Sequence, residues 1–134
     1  MIRTEHIGIA VKDLSLSIPL FEKLLASPCY KKETVESEHV QTAFFKKGDT
    51  KIELLESLTP DGVIAKFIEK KGEGMHHIAF EVEDIEVEMK RMAEEGFQLL
   101  NQTPKKGEEN KLVCFLHPKT TNGILIELCQ EIKP

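Results

Sequence analysis

Histidine and glutamate recur in this chain at matched positions. The phrase His6-Ile-Gly-Ile-Ala-Val-Lys-Asp-Leu14 returns as His77-Ile-Ala-Phe-Glu-Val-Glu-Asp-Ile85, 71 residues later, and each copy opens on its histidine. Lys51-Ile-Glu-Leu-Leu-Glu56 is echoed by Leu125-Ile-Glu-Leu-Cys-Gln130 at an offset of 74, with Glu53 and Glu127 at the two centres. Two imidazole nitrogens and two carboxylate oxygens make a donor set for a divalent first-row metal or magnesium, with positions left open for water or a bidentate ligand. Such donors do not choose among Co, Mn, Zn, Ni and Mg. A lone His or Glu on a strand is usually structural. The duplication sets these four apart, against the alternative of a satisfied polar network inside a barrel.

Two copies of one unit must position these groups. Residues 5 to 11 and 76 to 82 read as strands, and each is followed by a capping aspartate. Asp13 opens a helix over 15 to 26, and Asp84 opens one over 85 to 95 that Gly96 closes. Pro19 places the regular part of the first helix from about Ser17, because a mid-helix proline costs on the order of 3 kcal/mol. Hairpins follow, 40 to 46 with 50 to 56 around Gly48-Asp49, and 112 to 117 with 124 to 130 around Asn122-Gly123. The pattern is βαβββ twice, an α+β chain. Thr59-Pro60-Asp61 opens a short linker helix with Ile64, Phe67 and Ile68 inward. The whole of 1–134 is then one domain of two repeats, about 1–58 and 75–134.

Strand alternation gives the polar residues a common side. Ile7, Ile9 and Val11 face the helices, as do Ile78, Phe80 and Val82. His6 and His77 face away, with Gly8, Ala10 and Ala79 leaving volume in front of the imidazoles. Glu53 and Glu127 fall on that same side, opposite Ile52, Leu54, Ile126 and Leu128. All four donors are expected to point into one concavity. His76 belongs to the other side as a local hydrogen-bonding group, and His39 and His117 stand alone.

Bulk properties exclude several classes. The net charge of -5 and pI near 5.6 argue against nucleic acid. No apolar run approaches the roughly 18 residues of a membrane span, and Arg3, Glu5 and His6 occupy the place of a signal peptide's apolar stretch, so a cytoplasmic location is expected. Cys29, Cys114 and Cys129 are read as free thiols. No nucleophile elbow, Walker sequence or dinucleotide fingerprint occurs.

Several phrases together resemble the methylmalonyl-CoA epimerase family of the vicinal oxygen chelate superfamily, which includes glyoxalase I and the extradiol dioxygenases. They are the opening His6 phrase, Thr50 to Glu56, Ile64-Ala-Lys-Phe67, Gly72-Glu-Gly-Met-His-His-Ile-Ala-Phe80, Phe115-Leu-His-Pro-Lys119 and Asn122-Gly-Ile-Leu-Ile-Glu-Leu128. The resemblance implies an open, cup-shaped mixed sheet around a divalent metal held by His6, Glu53, His77 and Glu127, with Glu127 also the acid-base group. It implies a CoA thioester as substrate, epimerised at C2 by proton abstraction, and a homodimer. Lys105, Lys106 and Lys119 are candidates to meet CoA phosphates.

Two departures stand out. Some relatives carry a second acid-base glutamate on the third strand, roughly where Gln41 follows Val40 here, and Gly107-Glu108-Glu109-Asn110 is more acidic than the family's loop. A glyoxalase I-like isomerase acting on a glutathione adduct, or a non-enzymatic binding protein of the same fold, are the competing expectations.

Overall fold

The structure, a computed structural model, describes residues 1–132. Its contacts form two compact units, His6–His76 and a second built from His77 onward together with Met1–Glu5. The first carries β1 (Arg3–Ala10, shared at its start), α1 (Leu14–Leu25), β2 (Lys31–Val35), β3 (Val40–Lys47), β4 (Thr50–Ser57) and α2 (Val63–Lys71). The second carries most of β5 (Gly74–Glu81), then α3 (Ile85–Glu94), β6 (Lys105–Lys106), β7 (Lys111–Leu116) and β8 (Leu125–Glu131). Each is a βαβββ module, as expected from the repeat.

Strand order is β2-β3-β4-β1 in one module and β6-β7-β8-β5 in the other. The β1/β4 and β5/β8 ladders are parallel and the hairpin ladders antiparallel. A parallel pair needs a crossover, and the whole α-β-β stretch supplies it. β2 and β6 are edge strands that hydrophobic patterning does not reveal. β2 reads Lys-Lys-Glu-Thr-Val and β6 is two lysines, the charged, short edges that discourage pairing with another chain.

The helices lie where alternation put them. Leu14, Ile18, Phe21 and Leu25 of α1 pack with Ile9, Val11, Ala43, Phe45 and Leu54. Ile85, Met89 and Met92 of α3 pack with Val82, Cys114, Leu116 and Leu128. The repeat also explains its own last residue. Glu56 Oε1 accepts from Leu14 N at 2.7 Å, and Gln130 Oε1 accepts from Ile85 N at 2.8 Å, so each closing strand tethers the first amide of its helix.

Two expectations change and a third gains detail. α1 begins at Leu14, a turn before the position inferred from Pro19, because Asp13 caps Ser15 N at 2.9 Å and Leu14 is buried. Pro19 therefore sits inside the helix, its cost offset by packing. The β7–β8 connection holds a 3-10 turn, Pro118–Thr120, before Asn122 and Gly123, both at positive φ. α2 packs Ile64, Phe67 and Ile68 on Ala10, Val40 and Leu55. By alternation those strand residues lie on His6's side, so α2 closes one end of that face.

Candidate active site

The two modules build the same local arrangement. In the first, Gly8 lies beside Glu53 in the parallel ladder, and His6 is two residues before it. In the second, Ala79 lies beside Glu127 and His77 is two residues before it. The small residue leaves room for the side chains to meet. His6 Nδ1 stands 3.2 Å from Glu53 Oε2, and His77 Nε2 stands 3.5 Å from Glu127 Oε1. All four are buried, at 6, 3, 7 and 7% exposure in chain order.

The first separation lies within the range for two donors on one metal ion and the second just beyond it. Two donors bonded to one ion at about 2.1 Å lie roughly 3.0 to 3.4 Å apart for octahedral to tetrahedral angles. An imidazole nitrogen and a carboxylate oxygen held this close, away from water, are a matched half-set for a divalent cation. Each module supplies one half-set.

A feature that sequence analysis missed stands opposite each glutamate. Phe44 pairs across the ladder with Glu53, and Phe115 with Glu127. Cross-strand partners share a face, so each carboxylate has an aromatic wall. The phenylalanines are 71 residues apart, the spacing of the histidines, and that offset was the available signal. Phe115 also meets His77 edge-on, centroids 6.4 Å apart at 83°.

The register corrects the third-strand comparison. Gln41 pairs with Glu56 and shares the side of Ala43 and Phe45 beneath α1, whereas Thr42 pairs with Leu55 and lies on Glu53's side, fully buried. Thr42, not Gln41, occupies the site face of β3, and it carries no carboxylate.

The three candidate lysines separate. Lys105 pairs with Val113, on the face of Phe115 and Glu127, and its Nζ lies 5.3 Å from the Phe115 ring centroid. Lys106 pairs with Leu112, which packs on the α3 side. Lys119 is exposed on the 3-10 turn after His117.

The remaining histidines have structural settings. His117 Nδ1 accepts from Lys119 N at 2.9 Å, and His39 is an exposed residue at positive φ. His76 packs edge-on against Phe67 of α2 at 4.9 Å, and burial pushes its pKa down to about 4. Cys114 and Cys129 are buried free thiols whose pKa values burial raises. The acidic loop forms a 3-10 turn in which Glu109 and Asn110 both take positive φ.

This fold, with a His–Glu pair repeated in each half, is that of the Glyoxalase/Bleomycin resistance protein/Dioxygenase superfamily, whose profile matches residues 5–115. Within it, the chain is 39% identical to an ethylmalonyl-CoA/methylmalonyl-CoA epimerase of Cereibacter sphaeroides, over 96% of this chain and 97% of that one. It is 36% identical to the human mitochondrial methylmalonyl-CoA epimerase, over 96% of this chain and 73% of the relative. A Streptomyces coelicolor methylmalonyl-CoA epimerase variant, solved with 2-nitronate-propionyl-CoA, superposes with a TM-score of 0.93 at 30% identity and 99% coverage of both chains. The chain belongs to the methylmalonyl-CoA epimerase family.

Proposed function

We propose that the protein interconverts (2R)- and (2S)-methylmalonyl-CoA, using one divalent ion held by His6, Glu53, His77 and Glu127. The observation that carries this is the duplicated pair, His6–Glu53 at 3.2 Å and His77–Glu127 at 3.5 Å, in a chain that matches epimerases over nearly its full length. A bound divalent ion supplies Lewis-acid neutralisation of the charge that develops on the thioester oxygen, worth several kcal/mol.

The chain's own residues do the rest. Glu127 acts as the general base, and in the reverse direction the general acid, on one face of C2, a role typically worth about 10² to 10⁴-fold. Phe115 and Phe44 exclude water beside the two carboxylates, which strengthens electrostatics there. Glu53 acts as a ligand only. Thr42 cannot be a second carboxylate base, so returning the proton to the opposite face requires another group. Lys105, Lys106 and Lys119 are the candidates to meet the CoA phosphates at the periphery.

We place the enzyme in the cytoplasm as a homodimer. Free thiols suit a reducing compartment, and no helix among the described residues is long and apolar enough to cross a membrane. The dimer draws on α1. Leu16, Leu20 and Leu24 are 72, 61 and 69% exposed at one-turn spacing, whereas the matching α3 positions are Val87, Arg91 and Glu95. One helix has an ordinary solvated face and its repeat has a leucine stripe.

The test is to incubate a single stereoisomer of methylmalonyl-CoA with metal-loaded protein and follow its circular dichroism. Conversion to the equilibrium mixture is expected. An unchanged signal, with stoichiometric metal verified, refutes the proposal.

A further inference from the structure

The geometry points to Phe115 as the residue that touches the 2-alkyl group of the substrate and sets how large that group can be. The inference rests on the epimerase reading above and deepens it, adding which 2-alkylmalonyl thioesters the site accepts.

Phe115 is held through both of its backbone groups. Its N donates to Asn101 Oδ1 at 3.0 Å, and its O accepts from Leu100 N at 2.8 Å. Asn101 is itself fixed, with Nδ2 donating to Thr103 O at 2.7 Å and Val113 O at 3.2 Å. The Phe115 side chain packs against Ala79, Val113 and Cys129, all buried. That apolar bed lies on Glu127's side of the sheet: Ala79 is the parallel ladder partner of Glu127, and Cys129, two residues on, pairs with Val113. The ring stands edge-on to His77, centroids 6.4 Å apart, and His77 Nε2 is 3.5 Å from Glu127 Oε1. Even with Lys105 Nζ 5.3 Å from the ring centroid, Phe115 is only half-buried. Among these apolar neighbours of the proton-transfer group, Phe115 is the one that keeps surface for a ligand.

The repeat supplies the comparison. Phe44 holds the matching place opposite Glu53, yet it is 0% exposed. Its carbonyl accepts from Tyr30 N at 3.0 Å, the bond that Leu100 makes in the second module, and the Tyr30 ring leans on it with centroids 6.1 Å apart. Leu100 has no ring to lay on Phe115. A ligand can therefore touch Phe115 and not Phe44.

Connectivity within the substrate names the group it touches. C2 must come within reach of Glu127 to lose its proton, and the 2-alkyl group is bonded directly to C2. The carboxylate and the thioester carbonyl on the same carbon are polar. Only the alkyl group gains by leaving water against an aromatic surface. The ring is wedged between a buried bed and the His77 imidazole, so it cannot yield freely, and an added methylene meets a wall.

The experiment is calorimetric binding of malonyl-, methylmalonyl- and ethylmalonyl-CoA to metal-loaded wild type, Phe115→Leu, Phe115→Trp and Phe44→Leu, with C2 deuterium exchange on each thioester and far-UV circular dichroism to check the fold. Wild type should bind methylmalonyl-CoA about fourfold tighter than malonyl-CoA, the worth of one buried methylene, and about 10-fold tighter than ethylmalonyl-CoA. Phe115→Leu makes room and should bring ethylmalonyl-CoA to within about twofold of methylmalonyl-CoA. Phe115→Trp should weaken methylmalonyl-CoA and leave malonyl-CoA unchanged. Phe44→Leu should keep the wild-type ranking, whatever it costs in rate. If wild type neither binds nor exchanges any of the three, the epimerase reading fails. If wild type exchanges methylmalonyl-CoA but binds all three alike, or the folded Phe115 variants keep its ranking, or Phe44→Leu shifts the ranking as far as Phe115→Leu does, the role given to Phe115 is overturned.

Discussion

The helix tethers at Glu56 and Gln130 allow a comparison that the repeat itself controls. Both side chains accept the first amide of their helix, at 2.7 and 2.8 Å, and both sit three residues after a site glutamate. Only one is charged. Glu56→Ala removes a charge-assisted bond, about 1.5 to 3 kcal/mol, and an anion at a helix N-terminus, about 0.3 to 1 kcal/mol. Gln130→Ala removes a neutral bond, about 0.5 to 1.5 kcal/mol. Module one should therefore lose roughly 2 to 4 kcal/mol and module two roughly 1. Glu56→Gln keeps the bond and should recover most of the difference. Urea denaturation of the metal-free protein near pH 7.5, followed by far-UV circular dichroism, reads these as midpoint shifts at constant m. Equal losses in the two alanine variants, or a Glu56→Ala midpoint unchanged from wild type, would show that the tethers do not carry the stability assigned to them.

Other consequences follow from the same geometry. Glu127→Gln should cut C2 exchange by about 10² to 10⁴-fold, whereas Glu53→Gln, which keeps an oxygen donor, should cost about tenfold or less; equal losses would remove the asymmetry between the modules. His76 is held neutral by burial, its pKa moved from 6.5 to about 4. The unfolded chain then binds the extra proton between those values, so stability is complete above pH 6.5 and is lost as pH falls through the window. The loss is about 2 kcal/mol at pH 5, and His76→Phe should flatten that part of the metal-free stability–pH curve. Leu20→Asp, in the centre of the α1 stripe, should halve the mass measured by light scattering without altering far-UV circular dichroism; an unchanged dimer mass would exclude that face.

Much of the site was legible because the repeat duplicates chemistry along with fold. Once His6 and His77 were placed on strands, alternation alone put Glu53 and Glu127 on their side, and the parallel registers Gly8 with Glu53 and Ala79 with Glu127 realise it. What escaped detection has no hydrophobic period. β2 and β6 are charged edges, and Pro19 misled because propensity is local while Leu14 is held by tertiary burial. The distinction of Thr42 from Gln41, or Lys105 from Lys106, turns on a one-residue register that flips a side chain to the other face. Phe44 and Phe115 show their relation to the glutamates only through their ladder partners.

Deuterium incorporation at C2 tests the central claim most directly. Metal-loaded protein is incubated with (2S)-methylmalonyl-CoA in deuterated buffer, and the C2 proton and methyl signals are followed by NMR. The C2 proton should disappear and the methyl doublet collapse at a rate far above the buffer background, and metal removal should abolish the effect. A C2 proton that persists at the background rate, with stoichiometric metal bound, contradicts the account.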